Sequence, residues 1–248
     1  MITKRIITVL TILEGVLYRT KLFSPDYRYS ANFVDSWAID EVIILDITRK
    51  KNQDSDKRFE KFFKTFSKNC FVPISVGGWI RTLDDAKRVF DIGADKIVIN
   101  TGAFEDKKFI SSLSKKYGKQ SVTLSIDALE ENDKYFVYSN QGKKKENIDP
   151  FSWAQICAKE GIGEVLITSI NKDGWLQGFD LNLCKQMKDS LNIPVLALGG
   201  CGNWNHLFEL FKYCDVDGAC TQNIYHFTEK SISSAKDFLM KKGIHIRK

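Results

Sequence analysis

The sequence is short of the residues that mark unusual architectures. Its 248 residues include only 4 prolines and 16 glycines, which excludes collagen-like and low-complexity chains. The 3 histidines, His206, His226 and His245, are too scattered for a zinc site, and neither a metal nor a cofactor is expected. No apolar run reaches the roughly 18 residues that a membrane span needs, so no membrane association is expected. The six cysteines include no Cys-x-x-Cys pair, and five of them lie in apolar surroundings. They read as buried free thiols in a reducing, cytoplasmic compartment. The N-terminal stretch MITKRIITVLTILEG lacks a small-residue cleavage site and reads as a strand, not a signal peptide. Charge is only mildly unbalanced, with 37 Lys+Arg against 31 Asp+Glu. The basic runs Arg49-Lys50-Lys51 and Lys143-Lys144-Lys145 sit among acids and turn residues, as solvated loops do, and no nucleic-acid partner is expected.

What is present is the material of a packed fold: 43% hydrophobic and 12% aromatic residues, more than a disordered chain carries. Eight short runs rich in Val, Ile and Leu suit strands buried on both faces: Arg5–Leu10, Glu41–Asp46, Val72–Val76, Lys96–Asn100, Val122–Asp127, Glu164–Ser169, Val195–Leu198 and Gly218–Thr221. Helical spacing lies between several of them, as in Ala86-Val89-Phe90, Phe109-Leu113-Tyr117, Trp153-Ala154-Cys157, Leu183-Met187-Leu191 and Leu207-Leu210-Phe211. Thr82 and Asp149-Pro150 are plausible helix starts. Eight such units predict an α/β fold, a (β/α)8 TIM barrel.

An internal repeat sharpens this. Val72-Pro-Ile-Ser-Val-Gly-Gly followed by Asp95-Lys-Ile-Val-Ile-Asn returns as Ile193-Pro-Val-Leu-Ala-Leu-Gly-Gly followed by Asp217-Gly-Ala-Cys-Thr-Gln, about 122 residues later. The chain therefore reads as one domain over 1–248, built from half-barrels of about 1–120 and 121–248. Neither half-sheet would have covered edges alone.

The repeat also places chemistry. A strand ending in Gly-Gly lets backbone N–H groups approach an anion, and this occurs at Gly77-Gly78 and at Gly199-Gly200. In a barrel the two sites would face each other across one mouth, suggesting a ligand with a phosphate at each end. The same strand ends carry Asp46, Asn100, Thr101, Thr168, and the loop Asn171-Lys172-Asp173-Gly174. Asp127, at the end of an apolar strand, is the best candidate for a general acid/base; a hydrogen-bonded structural aspartate is the alternative. At the opposite end Arg5, Glu41, Lys96 and Glu164 each begin a strand and would converge as a ring of alternating charge. A salt-bridged stabilising ring is one reading of it.

Together these residues resemble the cyclase subunit family of imidazole glycerol phosphate synthase (HisF). The resemblance runs over almost the whole chain, through Leu45-Asp-Ile-Thr, Val76-Gly-Gly, Gly93-Ala-Asp-Lys-Ile, Ser125-Ile-Asp-Ala, Gly163-Glu-Val-Leu-Ile-Thr-Ser-Ile, Lys172-Asp-Gly and His226-Phe. It implies a barrel that docks a glutaminase on its bottom face and admits ammonia through a gate of Arg5, Glu41, Lys96 and Glu164. It also implies that Asp95 lies at the partner interface and that Asp127 takes part in cyclisation of a bis-phosphate substrate at the top. Departures are equally specific. The family's first catalytic aspartate is Thr11, its loop lysine is Arg19, a third glycine is Trp79, a threonine is Trp175, and a phosphate-site serine is Asn223. A hydroxyl cannot act as a general base near neutral pH, and two indoles are expected to crowd the phosphates.

The expected function is thus a HisF-like subunit of a glutamine-dependent amidotransferase. The favoured role is a divergent paralogue that supplies ammonia for sugar amidation, forming an acetamidino group in surface polysaccharides with an N-sugar amidotransferase partner. The alternative is a genuine cyclase subunit of histidine biosynthesis. A phosphosugar isomerase or ammonia-free binding barrel is a third reading, disfavoured by the complete gate.

Overall fold

The computed structural model describes residues 3–28, 38–106, 108–222, 224 and 232–247. The strands are β1 (Arg5–Leu13), β2 (Val16–Lys21), β3 (Ser24–Arg28), β4 (Glu41–Asp46), β5 (Ile74–Gly77), β6 (Lys96–Ile99), β7 (Val122–Glu131), β8 (Lys134–Ser139), β9 (Lys144–Lys145), β10 (Glu164–Ser169), β11 (Val195–Leu198) and β12 (Gly218–Thr221). Eight of them pair in parallel in the cycle β1-β4-β5-β6-β7-β10-β11-β12, and β12 returns to β1. This is the closed (β/α)8 barrel, and closure leaves no free sheet edge in the cycle.

Helices connect the parallel strands on the outside: α1 (Gln53–Ser67), α2 (Leu83–Asp91), α3 (Thr101–Glu105), α4 (Phe109–Tyr117), α5 (Pro150–Glu160), α6 (Leu181–Asp189), α7 (Trp204–Glu209) and α8 (Ile232–Lys241). Local sequence explains several starts. Thr82 and Asp85 cap α2 reciprocally, and Asp149 accepts from Phe151 N and Ser152 N ahead of Pro150 in the first turn of α5. Alternate strand residues point outward to this helical layer, such as Ile6, Leu10, Ile44, Ile97, Leu124 and Ile167, all buried in one core. The other set points into the barrel, where Ile7, Val9, Ile43, Val98, Leu166, Leu196 and Cys220 form a separate apolar plug. Period-2 alternation between two covered faces explains why these strands are apolar almost throughout.

At the floor, three aspartates tie neighbouring strands. Asp40 accepts from Ile6 N at 2.7 Å, Asp95 from Ile74 N at 2.8 Å and Asp217 from Val195 N at 2.9 Å. Asp40 also pairs with Lys236 at 2.7 Å, which anchors α8. At the mouth two hairpins rise above the barrel: β2 and β3 run antiparallel, and β8 folds back along β7. Neither hairpin was expected from the sequence.

Candidate active site

Interior rows rise from a charged floor through apolar residues, and three of them end in a polar side chain at the mouth. Arg5, Ile7, Val9 and Thr11 form one row. Glu41-Ile43-Leu45, Lys96-Val98-Asn100 and Glu164-Leu166-Thr168 form others. The row Thr123-Ser125-Asp127 differs, being polar at every step.

At the floor the four expected charged residues meet. Arg5 bridges both carboxylates, Nη1 to Glu41 Oε1 at 2.5 Å and Nη2 to Glu164 Oε1 at 2.6 Å. Lys96 Nζ closes the other side, 3.2 Å from Glu41 Oε2 and 3.4 Å from Glu164 Oε2. Burial disfavours charge on Arg5, but the two carboxylates outweigh it and hold the guanidinium above its ordinary pKa. Burial likewise works against the Glu41 carboxylate, and Arg5 and Lys96 outweigh it, so its pKa falls. Arg5 and Glu41 are therefore both held in their charged forms, within a closed electrostatic ring that Lys96 and Glu164 complete. Asp95 lies beside Lys96, exposed on this face.

The mouth holds a cavity of about 160 Å³. Asp127 lies in its wall, with Oδ2 accepting from Asn100 Nδ2 at 2.9 Å and Oδ1 from Ser125 Oγ at 3.2 Å. Burial pushes its pKa up to about 7; the Ser125 bond opposes this, the Asp173 charge adds to it and the Asn100 bond opposes it again. A carboxyl that exchanges its proton near neutral pH suits general acid/base work. Asp173 is also buried, and burial raises its pKa, but its oxygens are committed. They accept from Thr20 Oγ1 at 3.1 Å and Phe23 N at 2.9 Å, which pins the β2–β3 hairpin over the mouth.

Thr11 faces this cavity and donates its hydroxyl to the Tyr18 carbonyl. It serves as a hydrogen-bond stitch between β1 and the antiparallel β2. Asn100, Thr101, Thr168 and Gly78 also line the cavity, whereas Gly174, Gly199 and Gly200 line a smaller neighbouring one with Arg19 and Gln222. Two expectations need correction. Gly77 does not reach the mouth: it faces the barrel interior, where an added Cβ would lie 2.8 Å from Leu45 and 2.9 Å from Val98. Trp175 does not crowd the second glycine pair: it is 42% exposed, and its ring carries Lys21 Nζ at 3.9 Å. Trp79 does line the main cavity, with its indole N–H donating to Thr48 O at 2.8 Å. Asp46 is engaged by Lys51 at 3.2 Å and by Thr48 N at 3.0 Å. Asn223 and His226-Phe227 lie outside the described residues.

Sequence reasoning missed Ser125, Arg49 and the hairpin residues Phe23, Asn140 and Gln141. Ser125 had a signal, since a residue two before Asp127 on a strand shares its face. Arg49 had none. It donates to Phe23 O at 2.5 Å and to Gln141 Oε1 at 2.8 Å, joining two hairpins that only the folded chain brings together.

Comparison with known proteins decides the family. The model of the family described as "Histidine biosynthesis protein" matches residues 8–231. The imidazole glycerol phosphate synthase subunit HisF of Sulfurisphaera tokodaii is 35% identical over 252 residues, covering the whole of both chains. The chain belongs to the HisF family. Two further members with the same name agree with it over their full lengths, that of Lysinibacillus sphaericus at 36% and that of Hydrogenobaculum sp. at 35%. Among its described residues no helix is long and apolar enough to cross a membrane.

Proposed function

We propose that this chain is the ammonia-receiving barrel of a cytoplasmic glutamine-dependent amidotransferase, docked to a HisH-like glutaminase at its floor. The observation that carries the reading is the closed Arg5–Glu41–Lys96–Glu164 ring, set opposite a titratable Asp127. Charges buried at a pole cost desolvation and need a reason to be kept there. A ring that can part on partner binding would admit ammonia while restraining bulk water. Asp95, exposed beside Lys96, would lie at the docking face. Above the ring, the apolar plug would hold ammonia uncharged, and Asn100, Ser125 and Asp127 would receive it at the mouth.

Two acceptor chemistries fit this frame. The names of the relatives favour cyclisation to imidazole glycerol phosphate, with Asp127 as the acid/base and phosphate held beside Gly78 and at Gly199–Gly200. Thr11 and Trp79 favour a diverged subunit that passes ammonia on, as in sugar amidation with an N-sugar amidotransferase. Mixing the barrel with its glutaminase should raise glutamine hydrolysis, and absence of a complex on gel filtration would refute the conduit. The purified barrel given ammonium and the bis-phosphate substrate should form no imidazole glycerol phosphate if the mouth has diverged. Turnover like that of an ordinary family member would establish the cyclase reading instead.

A further inference from the structure

The interior row of β7 is polar at every step, and its middle member, Ser125, stands beside the apolar Leu166 of β10. Packing of the apolar plug calls for no hydroxyl at this height; the group Ser125 meets is Asp127. Residues two apart on one strand share a face, and Ser125 Oγ lies 3.2 Å from Asp127 Oδ1 in the wall of the main cavity. The other carboxylate oxygen, Oδ2, receives Asn100 Nδ2 at 2.9 Å. That amide is fixed in direction, because its nitrogen also donates to the Tyr138 carbonyl at 3.2 Å, and a carbonyl only accepts. Asn100 therefore offers Oδ2 a donor in either protonation state of Asp127. A serine hydroxyl both donates and accepts, and it rotates to suit. Asp127 thus meets one fixed donor and one partner that reverses. The other charged side chains around the cavity are engaged elsewhere: Asp46 with Lys51, Arg49 with Phe23 O and Gln141, Arg81 with Glu105, and Asp173 with Thr20 and Phe23 N.

We infer that Ser125 is the positioning residue for the proton that Asp127 exchanges: it donates to Oδ1 of the carboxylate and accepts from Oδ1 of the acid. This rests on Asp127 being the acid/base of the proposed enzyme. A proton on Oδ1 finds an acceptor in Ser125 Oγ, whereas Oδ2 faces the N–H of Asn100. Neither protonation state then leaves Oδ1 without a partner in a buried place, where an unmade hydrogen bond is costly. The two bonds are unequal, because a hydrogen bond to a charged oxygen is stronger than one between neutral groups. On balance Ser125 therefore favours the carboxylate. Burial pushes the pKa of Asp127 up to about 7; the Ser125 bond is the leading effect that restrains the rise, the Asp173 charge adds to it, and the Asn100 bond restrains it further. Without the hydroxyl the acid would keep its proton past neutral pH and serve poorly as a base.

NMR titration of the whole chain with isotope-labelled aspartate carboxyls tests this, with Asp127→Asn identifying the signal. Wild-type Asp127 should titrate at about 7. Ser125→Ala should raise the midpoint by about one pH unit, the difference between a charge-assisted and a neutral hydrogen bond. Ser125→Cys, which keeps the volume but donates weakly, should shift it the same way if the alanine variant folds poorly. Ser125→Thr keeps the hydroxyl and should restore the wild-type midpoint. Thr123→Val, one step down the same row, should leave the midpoint in place, so a general loss of interior polarity is told apart from loss of this one hydroxyl. The infrared band of the protonated carboxyl should move to higher frequency in Ser125→Ala, as its O–H loses an acceptor. A midpoint unmoved or lowered in both the alanine and cysteine variants, a threonine variant that behaves like alanine, an equal shift in Thr123→Val, or an unmoved infrared band would each overturn the inference. The titration involves neither substrate nor glutaminase. If wild-type Asp127 titrates in the ordinary carboxylate range, the acid/base reading falls and this inference with it; if it titrates at about 7 and Ser125→Ala changes nothing, only the role of Ser125 is lost.

Discussion

Glu41 at the floor and Asp127 at the mouth are both carboxylates at the end of an interior row, yet their proton affinities move in opposite directions. Burial penalises both charges. Glu41 is touched by two cations and stays ionised, whereas Asp127 is met, among the described residues, by an amide and a hydroxyl, with another carboxylate nearby, and its pKa is pushed up to about 7. Burial alone therefore does not decide a group's chemistry; the charge of its neighbours does. One pole is built to hold charge fixed and the other to let it change.

This contrast can be broken at either end. Arg5→Ala should have the largest effect, since it leaves two buried carboxylates with only the longer contacts of Lys96. Breaking a buried pair typically costs about 3–5 kcal/mol, which urea denaturation would measure; a loss under about 1 kcal/mol would mean water reaches the ring freely. At the mouth, Asp127→Asn should act on the pH profile of stability. Because the folded pKa of Asp127 is raised, its favourable contribution is complete below its ordinary carboxylate range and is lost as pH rises through about 7. The asparagine variant should therefore gain on wild type between about pH 4 and 7, by at most roughly 1.4 kcal/mol per unit, and parallel profiles would show that Asp127 is not desolvated. Thr11→Val should have the smallest effect, about 1 kcal/mol for one hydrogen bond to Tyr18, seen as a modest drop in thermal midpoint. A loss of several kcal/mol would show that the stitch holds more than one hairpin.

The barrel was legible because its strands are covered on both faces. β4, β10, β11 and β12 fall on their apolar runs to the residue. β1 and β7 extend further than their runs, to Leu13 and Glu131, because a hairpin partner continues to pair them above the barrel. Those hairpins were hidden because β2 and β8 mix polar and half-buried positions and owe their pairing to tight turns, not to an apolar run. The charged floor was legible because each member starts a strand. The state of Asp127 was not, since it depends first on how deeply the folded mouth buries it, and then on the bonds from Ser125 and from Asn100 at the end of the neighbouring strand.

Trp79 sits at φ 61°, a left-handed conformation that bulky residues rarely adopt. Glycine would rest there more comfortably, so the fold is held a little below the stability this position could give. Selection for stability alone would remove the indole. A thermostability screen of this chain should therefore enrich small residues at position 79, and the variants it returns would show whether robustness and ligand choice oppose each other at this one position.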